Sequence, residues 1–235
     1  SMKDCIGIIL ARTGSRRIKN KNFLKLKKKI IFEYPMLEAI KSNKISKIIV
    51  STHKKKLGII KKLSQKKEFK NKLIPHARNY KMLNNDYHMA DVIKHIIKSD
   101  LLKNIKFEYI FMIYSTAILI KKKDFDNMLK IMKKYENNNA CSVQTICKYP
   151  APVEWALKMN KKNELKNKFD FVMKSSDKYN SYFYDTGGLQ LFNKNFFNEK
   201  LKKNFLGYDI GKLRGVDVDD KEDLELAKNI FFKKN

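Results

Sequence analysis

Residues Cys5–Ala11 read CIGIILA, seven apolar or glycine positions in an unbroken row with charged residues on both sides. A strand with one wet face alternates polar and apolar residues. A run with no polar member has to be covered on both faces, which is the condition of a strand inside a parallel sheet. Similar runs return at Ile45–Ser51 (ISKIIVS), Phe107–Tyr114 (FEYIFMIY) and Ala140–Ile146 (ACSVQTI), with a shorter one at Lys72–His76. Between them the apolar residues recur at helical spacing, over 31–42, 55–67, 86–99 (with Asp86 near its start) and 124–135. This βαβαβαβαβ order predicts an α/β fold built on a doubly wound, mostly parallel sheet, Rossmann-like in layout. Open sheets of this kind take their ligands at the carboxyl ends of the strands.

The rhythm breaks at 148–180, which opens on Pro150 and Pro152 and is rich in Lys, Asn and Asp. It reads as a small excursion from one domain spanning 1–235, suited to dimerisation or to the edge of a substrate site. Trp155, beside the prolines, either lines such a site or packs. Tyr182–Phe192 (YFYDTGGLQLF) predicts a strand interrupted by a Gly-Gly turn or bulge. Gly215–Val218 predicts a short strand, and Asp220–Phe232 a closing helix with acids in its first turn.

Lys plus Arg number 52 against 24 Asp plus Glu, a net charge of +28. Such a surplus suits anionic partners: nucleic acid, a membrane surface or phosphorylated small molecules. Only five of the 52 are arginines: Arg12, Arg16, Arg17, Arg78 and Arg214. Lysine scattered over a solvated surface accounts for the bulk of the charge, so the arginines mark where a planar, multi-donor cation is needed. No nucleic-acid module and no basic stripe interleaved with aromatics is present. No apolar run reaches the 18 residues of a membrane span. Cys5, Cys141 and Cys147 have neither CxxC nor metal spacing, and their odd number points to free thiols in a reducing, cytoplasmic compartment. The four histidines share no ligand spacing and read as packing or surface residues.

Two stretches carry chemistry. Arg12–Asn22 (RTGSRRIKNKN) directly follows the first strand. Gly14 lets its backbone approach a ligand, and Arg12, Arg16 or Arg17, and Lys21 supply cations for a triphosphate. There is no GK[ST] and no GxGxxG. The second is Val216-Asp217-Val218-Asp219-Asp220, followed by Asp223. On a strand, Asp217 and Asp219 share a face. Two hard carboxylates suit Mg²⁺, which is normally held by one or two of them plus substrate phosphates. Asp220 and Asp223 read as caps of the last helix.

Together these stretches resemble a known family. IILARTGSRRIKNKNF (8–23) is similar to the opening motif of the CMP-sugar synthetases, cytidylyltransferases that activate nonulosonic acids. VDVDDKEDLELA (216–227) looks like their closing motif. Arg78 lies in a stretch similar to the family's Arg-Pro-x-x-Leu, with Asn79 in place of the proline, and Leu10 stands where the family has proline before Ala-Arg. FMIYSTAILI (111–120) resembles the family's central strand. Its Tyr114-Ser-Thr-Ala form is most like the pseudaminic acid enzymes, whereas sialic acid enzymes tend to have Gln-Pro-Thr-Ser. YFYDTGGLQLF resembles a Tyr-x-Asp-Ala-Gly segment, from which it departs at 186–190.

The resemblance implies an enzyme that joins CTP to a nonulosonic acid and releases pyrophosphate. It implies that Arg12, Gly14, Ser15, Arg16 and Lys21 hold the phosphates, with Arg12, Lys21 and Asp217 central to the chemistry. Asn22 and Arg78 are implied for ribose and base, Asp217 and Asp219 for Mg²⁺, and Tyr114, Thr116, Asp185, Thr186 and Gln190 for substrate contacts. Pseudaminic acid is the favoured sugar, with sialic, legionaminic or 3-deoxy-manno-octulosonic acid as alternatives. A homodimer through 148–180 is a further implication. The competing expectation from another class is a non-catalytic basic protein that binds nucleic acid or anionic surfaces.

Overall fold

The structure is a computed structural model that describes residues 4–15, 17–79, 88–170 and 174–233. Arg16 and the Asp86 end of the expected third helix lie outside the described residues. The main sheet has seven strands, in the order β11 (Lys203–Asp209), β7 (Ala140–Lys148), β10 (Phe183–Asn193), β6 (Tyr109–Ile113), β1 (Cys5–Ala11), β4 (Ile45–Thr52) and β5 (Leu73–Ala77). Every neighbouring pair is parallel except the two that β10 makes with β6 and β7. The sheet is therefore mostly parallel, with one reversed strand. Two small hairpins stand apart from it, β2 (Lys25–Leu26) with β3 (Lys29–Ile30), and β8 (Leu157–Met159) with β9 (Leu165–Asn167).

The unbroken apolar run of β1 is explained by two layers of core. Cys5, Ile9 and Ala11 belong to one cluster and Ile6 and Ile8 to the other, alternating as a strand requires. On the first face lie α1 (Glu33–Lys41), α2 (Leu57–Ser64) and α4 (Lys122–Tyr135), through Met36, Ile60, Leu63, Phe125 and Met128 among others. On the second face lies α3 (Met89–Lys98), through Val92, Ile93 and Ile96. Burying each such side chain is worth roughly 1.5–3 kcal/mol. A third cluster joins α5 (Lys221–Lys233) to Ile18, Ile118, Leu119 and Val218. It ties the loop after β1 to the chain's closing segment. All three cysteines are free and buried. No helix among the described residues is long and apolar enough to cross a membrane.

One expectation fails. Residues 215–219 form no strand and pair with nothing in the sheet. The alternation of Val and Asp arises in an irregular segment whose valines pack into the third cluster. Lys203–Asp209, in contrast, is a strand that the sequence pattern did not announce. It is an edge strand with one half-buried face, and Phe205 stays 66% exposed.

Candidate functional site

The strand order reverses at β1, with β4 and β5 on one side of it and β6 on the other. A cleft of about 800 Å³ opens at the carboxyl ends of β1 and β6. The loop after β1, the end of β6, the start of β10, the 217–219 segment and the N-terminal turn of α3 all reach it. Because β10 runs antiparallel to β6, its first residues, Asp185 to Gly187, arrive at this same edge.

The basic wall comes from residues 12–22. Arg12, Gly14, Ser15, Arg17 and Lys21 all line the cleft. Gly14 turns the loop at φ +92°, in the left-handed region where a side chain is strained. Asn22, buried, ties the loop down. Its Nδ2 donates to the Arg12 carbonyl at 2.7 Å, and its Oδ1 accepts from the Ser115 hydroxyl. Lys21 reaches across 197 residues of sequence to donate to the Val218 carbonyl at 2.8 Å and to Asp219 Oδ1 at 3.4 Å. Arg17 pairs with Asp219 Oδ2 at 2.9 Å. Arg17 thus stands in the cleft, and its neighbour Arg16 lies outside the described residues.

Arg78 stands at the far end of the basic wall. Its Nε donates to Ser51 Oγ at 3.3 Å, and Ser51 shares a 2.9 Å hydrogen bond with His76 Nδ1. Among the described residues, Arg78 Nη2 is buried without a hydrogen-bond partner. Burial, with the charge of Arg12 adding to it, pulls the guanidinium down to about 10. A buried donor with no partner is costly, and one on the wall of a cleft is satisfied by a ligand acceptor. Tyr114 and Thr116, at the end of β6, line the middle of the cleft. Burial and then the charges of Asp185 and Asp217 push the Tyr114 phenol up to about 12, so it stays a hydrogen-bond donor at neutral pH.

The acidic wall holds Asp185, Asp217 and Asp219. Burial and the neighbouring Asp219 raise the Asp217 carboxyl above the usual range. Burial also works against Asp219, but hydrogen bonds from Arg17 and Lys21 and their charges hold it below that range. Among the described residues Asp217 enters no ion pair. Two features of this wall suit a divalent cation beside Asp217. The charge of Lys21, itself paired with Asp219, offsets Asp217 only in part, and Gly187 beside it presents no side chain, since a Cβ there would lie 2.5 Å from Asp217 Oδ1. No cage of three or more metal-ligating side chains is present among the described residues. Two carboxylates completed by substrate phosphates are the arrangement that suits Mg²⁺.

Two expected site residues are not in the cleft. Thr186 follows Asp185 on a strand, so it points to the opposite face, where it is buried and donates to the Thr145 carbonyl at 3.2 Å. Gln190 lies farther along β10, which runs from the cleft edge into the sheet. It sits between Met112 and Gln144 and donates to Ser142 Oγ at 3.4 Å. Trp155 packs edge-to-face on Tyr179 rather than lining the cleft. Asp220 and Asp223 cap α5 as expected. Asp220 Oδ1 accepts from the Asp223 amide, and Asp223 Oδ2 from the amides of 219 and 220. Residues that the sequence reading passed over are Gly187, Met89 and Val92, all of which line the cleft, and Ser51 behind Arg78. The Gly-Gly pair was visible as a turn. Nothing local signals Met89, Val92 or Ser51, because their role depends on which elements meet.

The family profile described as Cytidylyltransferase matches residues 6–207 of this chain. The chain is 26% identical over 249 residues to an N-acylneuraminate cytidylyltransferase of Escherichia coli O18:K1:H7, covering 98% of this chain and 52% of that protein. It therefore spans about half the length of that relative. It is also 53% identical over 51 residues to an uncharacterised protein of Methanocaldococcus jannaschii, covering 22% of this chain and 21% of that one. Among solved structures, a CMP:2-keto-3-deoxy-manno-octonic acid synthetase complexed with CTP superposes with a TM-score of 0.67 at 12% identity, covering 99% of this chain and 100% of that one. A 4-diphosphocytidyl-2C-methyl-D-erythritol synthase from Anaerococcus prevotii superposes at 0.59 and 14% identity, covering 99% of each. At these identities the superpositions establish the fold.

Proposed function

This chain belongs to the cytidylyltransferase family, and on that premise we propose that it transfers CMP from CTP to the anomeric hydroxyl of a nonulosonic acid, pseudaminic acid first among them. The observation that carries the reading is the two-signed cleft. Arg12, Arg17 and Lys21 stand on one wall and Asp185, Asp217 and Asp219 on the other, with Arg78 at the end, its Nη2 without a hydrogen-bond partner among the described residues.

In the reaction the sugar's 2-hydroxyl oxygen bonds to the α-phosphorus of CTP. The bond from that phosphorus to the β-phosphate oxygen breaks, pyrophosphate leaves, and the hydroxyl proton passes to solvent. Such chemistry is chiefly positioning and neutralisation of phosphate charge. Arg12, the Gly14–Ser15 backbone and Arg17 hold the β- and γ-phosphates and stabilise the leaving group. Lys21 bridges phosphate wall and acidic wall. Arg78 takes an acceptor on the base or ribose, and Asn22 holds the Arg12 loop in shape for both. Asp217 and Asp219 would hold Mg²⁺, which when bound neutralises phosphate oxygens and acidifies the attacking hydroxyl. Tyr114, Thr116 and Asp185 face the remaining space, where the sugar acid enters.

The preference for pseudaminic acid rests on Tyr114-Ser-Thr-Ala117 at the end of β6. A site with fixed donors and acceptors rejects an analogue that leaves them unpaired. Competition kinetics with CTP and pseudaminic, N-acetylneuraminic, legionaminic and 3-deoxy-manno-octulosonic acids tests the reading. A higher kcat/KM for pseudaminic acid is expected. Preference for another of these acids replaces the sugar and keeps the reaction, and no turnover with any of them overturns the reaction.

The 148–180 region exposes Leu157, Met159, Leu165 and Phe169 among its described residues. This much apolar surface on one small excursion suits contact with a second copy of the chain. Sedimentation of Leu157→Glu and Met159→Glu variants against the parent tests the homodimer: loss of a dimer is expected, and a parent that sediments as a monomer overturns it.

A further inference from the structure

Among the described arginines, Arg214 is the one that does not line the cleft. It forms a two-bond clamp on Asp124, Nη1 to Oδ2 at 2.5 Å and Nη2 to Oδ1 at 2.9 Å. Asp124 is fully buried near the start of α4. It also accepts from the Lys121 amide at 2.7 Å and the Tyr208 hydroxyl at 2.9 Å, so both its oxygens are engaged. A buried ion pair is poor evidence for stability, because apolar replacement of both partners is often neutral or better. Its best-attested use is to fix one arrangement.

What this pair fixes is the segment that begins at the next residue. Residues 215–219 carry Asp217 and Asp219 but have no ladder to hold them. Their downstream end is tied by Lys21 to the Val218 carbonyl and by Asp223 to the Asp219 amide. Their upstream end is tied by a turn in which the amides of Arg214 and Gly215 donate to the Gly211 carbonyl, and by the Tyr184 hydroxyl donating to the Gly215 carbonyl at 2.8 Å. Beneath the segment lies a small cavity of about 10 Å³, between Val216 and Val218 on one side and Thr116–Ile120 on the other, with Arg214 in its wall. Val216 and Val218 pack into the third cluster on this side despite that void, and the anchors at the two ends hold the segment between them.

We propose that Arg214 is a positioning residue: its clamp on Asp124 sets where Asp217 stands in the cleft, and through Asp217 it sets the binding of CTP with its divalent cation. The inference rests on the cytidylyltransferase reading above.

The test replaces both charges at once. The Arg214→Met, Asp124→Leu double variant leaves no buried charge unpaired and is expected to fold, with a Tm lowered by the loss of the acceptor for the Lys121 amide and the Tyr208 hydroxyl. Calorimetric CTP binding is then measured with and without Mg²⁺. In the double variant CTP binding in Mg²⁺ is expected to weaken about tenfold, while binding without Mg²⁺ stays within about twofold. The same two changes made on Asp217→Asn are expected to add less than twofold, since the residue through which the clamp acts is already disabled. Arg214→Lys, which keeps the charge and loses the fork, is expected to give an intermediate defect, and it carries the test if the double variant does not fold. Unchanged CTP binding in Mg²⁺, an equal loss with and without Mg²⁺, or a full tenfold further loss on Asp217→Asn overturns the proposal. Failure of the parent protein to bind CTP at all is a different result: it overturns the cytidylyltransferase reading, and the proposal with it.

Discussion

Gly187 and Asp217 approach each other because Gly187 has no side chain: a Cβ there would stand 2.5 Å from Asp217 Oδ1, and the backbone is already left-handed at φ +57°. The turn that interrupts β10 thus makes room for a carboxylate of the acidic wall that enters no ion pair among the described residues. Gly187→Ala is expected to lower kcat/KM by about 10–100-fold, because displacing a reacting-site group by even an ångström is costly. Its stability cost from the strained backbone is about 1–2 kcal/mol. Gly58→Ala is the control. It lies in α2 with open space around it, and it is expected to leave activity intact and gain up to about 1 kcal/mol. Urea unfolding and steady-state kinetics on the two variants separate the effects.

Asp217→Asn is expected to trade activity for stability. Burial and Asp219 raise this carboxyl in the folded chain, so its ionised form costs stability at pH values above that raised pKa. Removing the charge from the metal-free protein at pH 7 should raise Tm by about 1–2 °C, a few tenths of a kcal/mol after solvent screening. The gain should vanish as pH falls below the ordinary carboxyl range, where the unfolded chain is protonated too. Transition-state stabilisation should fall by about 2–4 kcal/mol, the scale of one lost electrostatic contact. Asp220→Ala should behave in the opposite way. It removes the acceptor for the Asp223 amide and so costs about 0.5–2 kcal/mol of stability, with turnover near that of the parent. Similar kinetic losses at both positions would mark a structural acid cluster.

Acid sensitivity is expected to include a contribution from His76. Burial, then the charges of His95 and Arg78, lower its imidazole below the usual value in the folded chain. As pH falls through the ordinary imidazole range the unfolded chain takes a proton before the folded chain does, so stability is lost. His76→Gln should lose less Tm between pH 7 and pH 5 than the parent does. Parallel curves for the two proteins would show that His76 contributes nothing.

Arg12→Lys keeps the charge but loses the planar fork, and it is expected to reduce kcat/KM by at least tenfold. Replacing Lys61 and Lys62 on α2 with Gln, outside the cleft, should change it by less than twofold. Equal losses would mean that general positive charge, and not the geometry of the loop after β1, drives the activity.

Much of this was legible in the chain itself. The unbroken apolar run of β1 demanded cover on both faces and predicted a buried parallel strand, because solvation cost depends only on which residues must be hidden. Arg12, Arg17, Arg78 and the clustered acids marked both walls of the cleft, because in a lysine-rich chain those side chains are the unusual ones. The alternation over 216–219 failed as a sign of a strand, since a strand needs a partner edge and the sequence pattern cannot say whether one is free. Thr186 and Gln190 were misplaced for a related reason: only the antiparallel direction of β10 decides that Asp185 reaches the cleft, while Thr186 turns away and Gln190 lies deeper in the sheet. The contacts of Lys21 with Val218, Gly187 with Asp217 and Arg214 with Asp124 join residues far apart in sequence. The sequence determined which side chains were available and which surfaces had to be buried. Tertiary structure alone decided which of them meet, because distance and direction between such residues are set by the packing of the sheet, its helices and its loops.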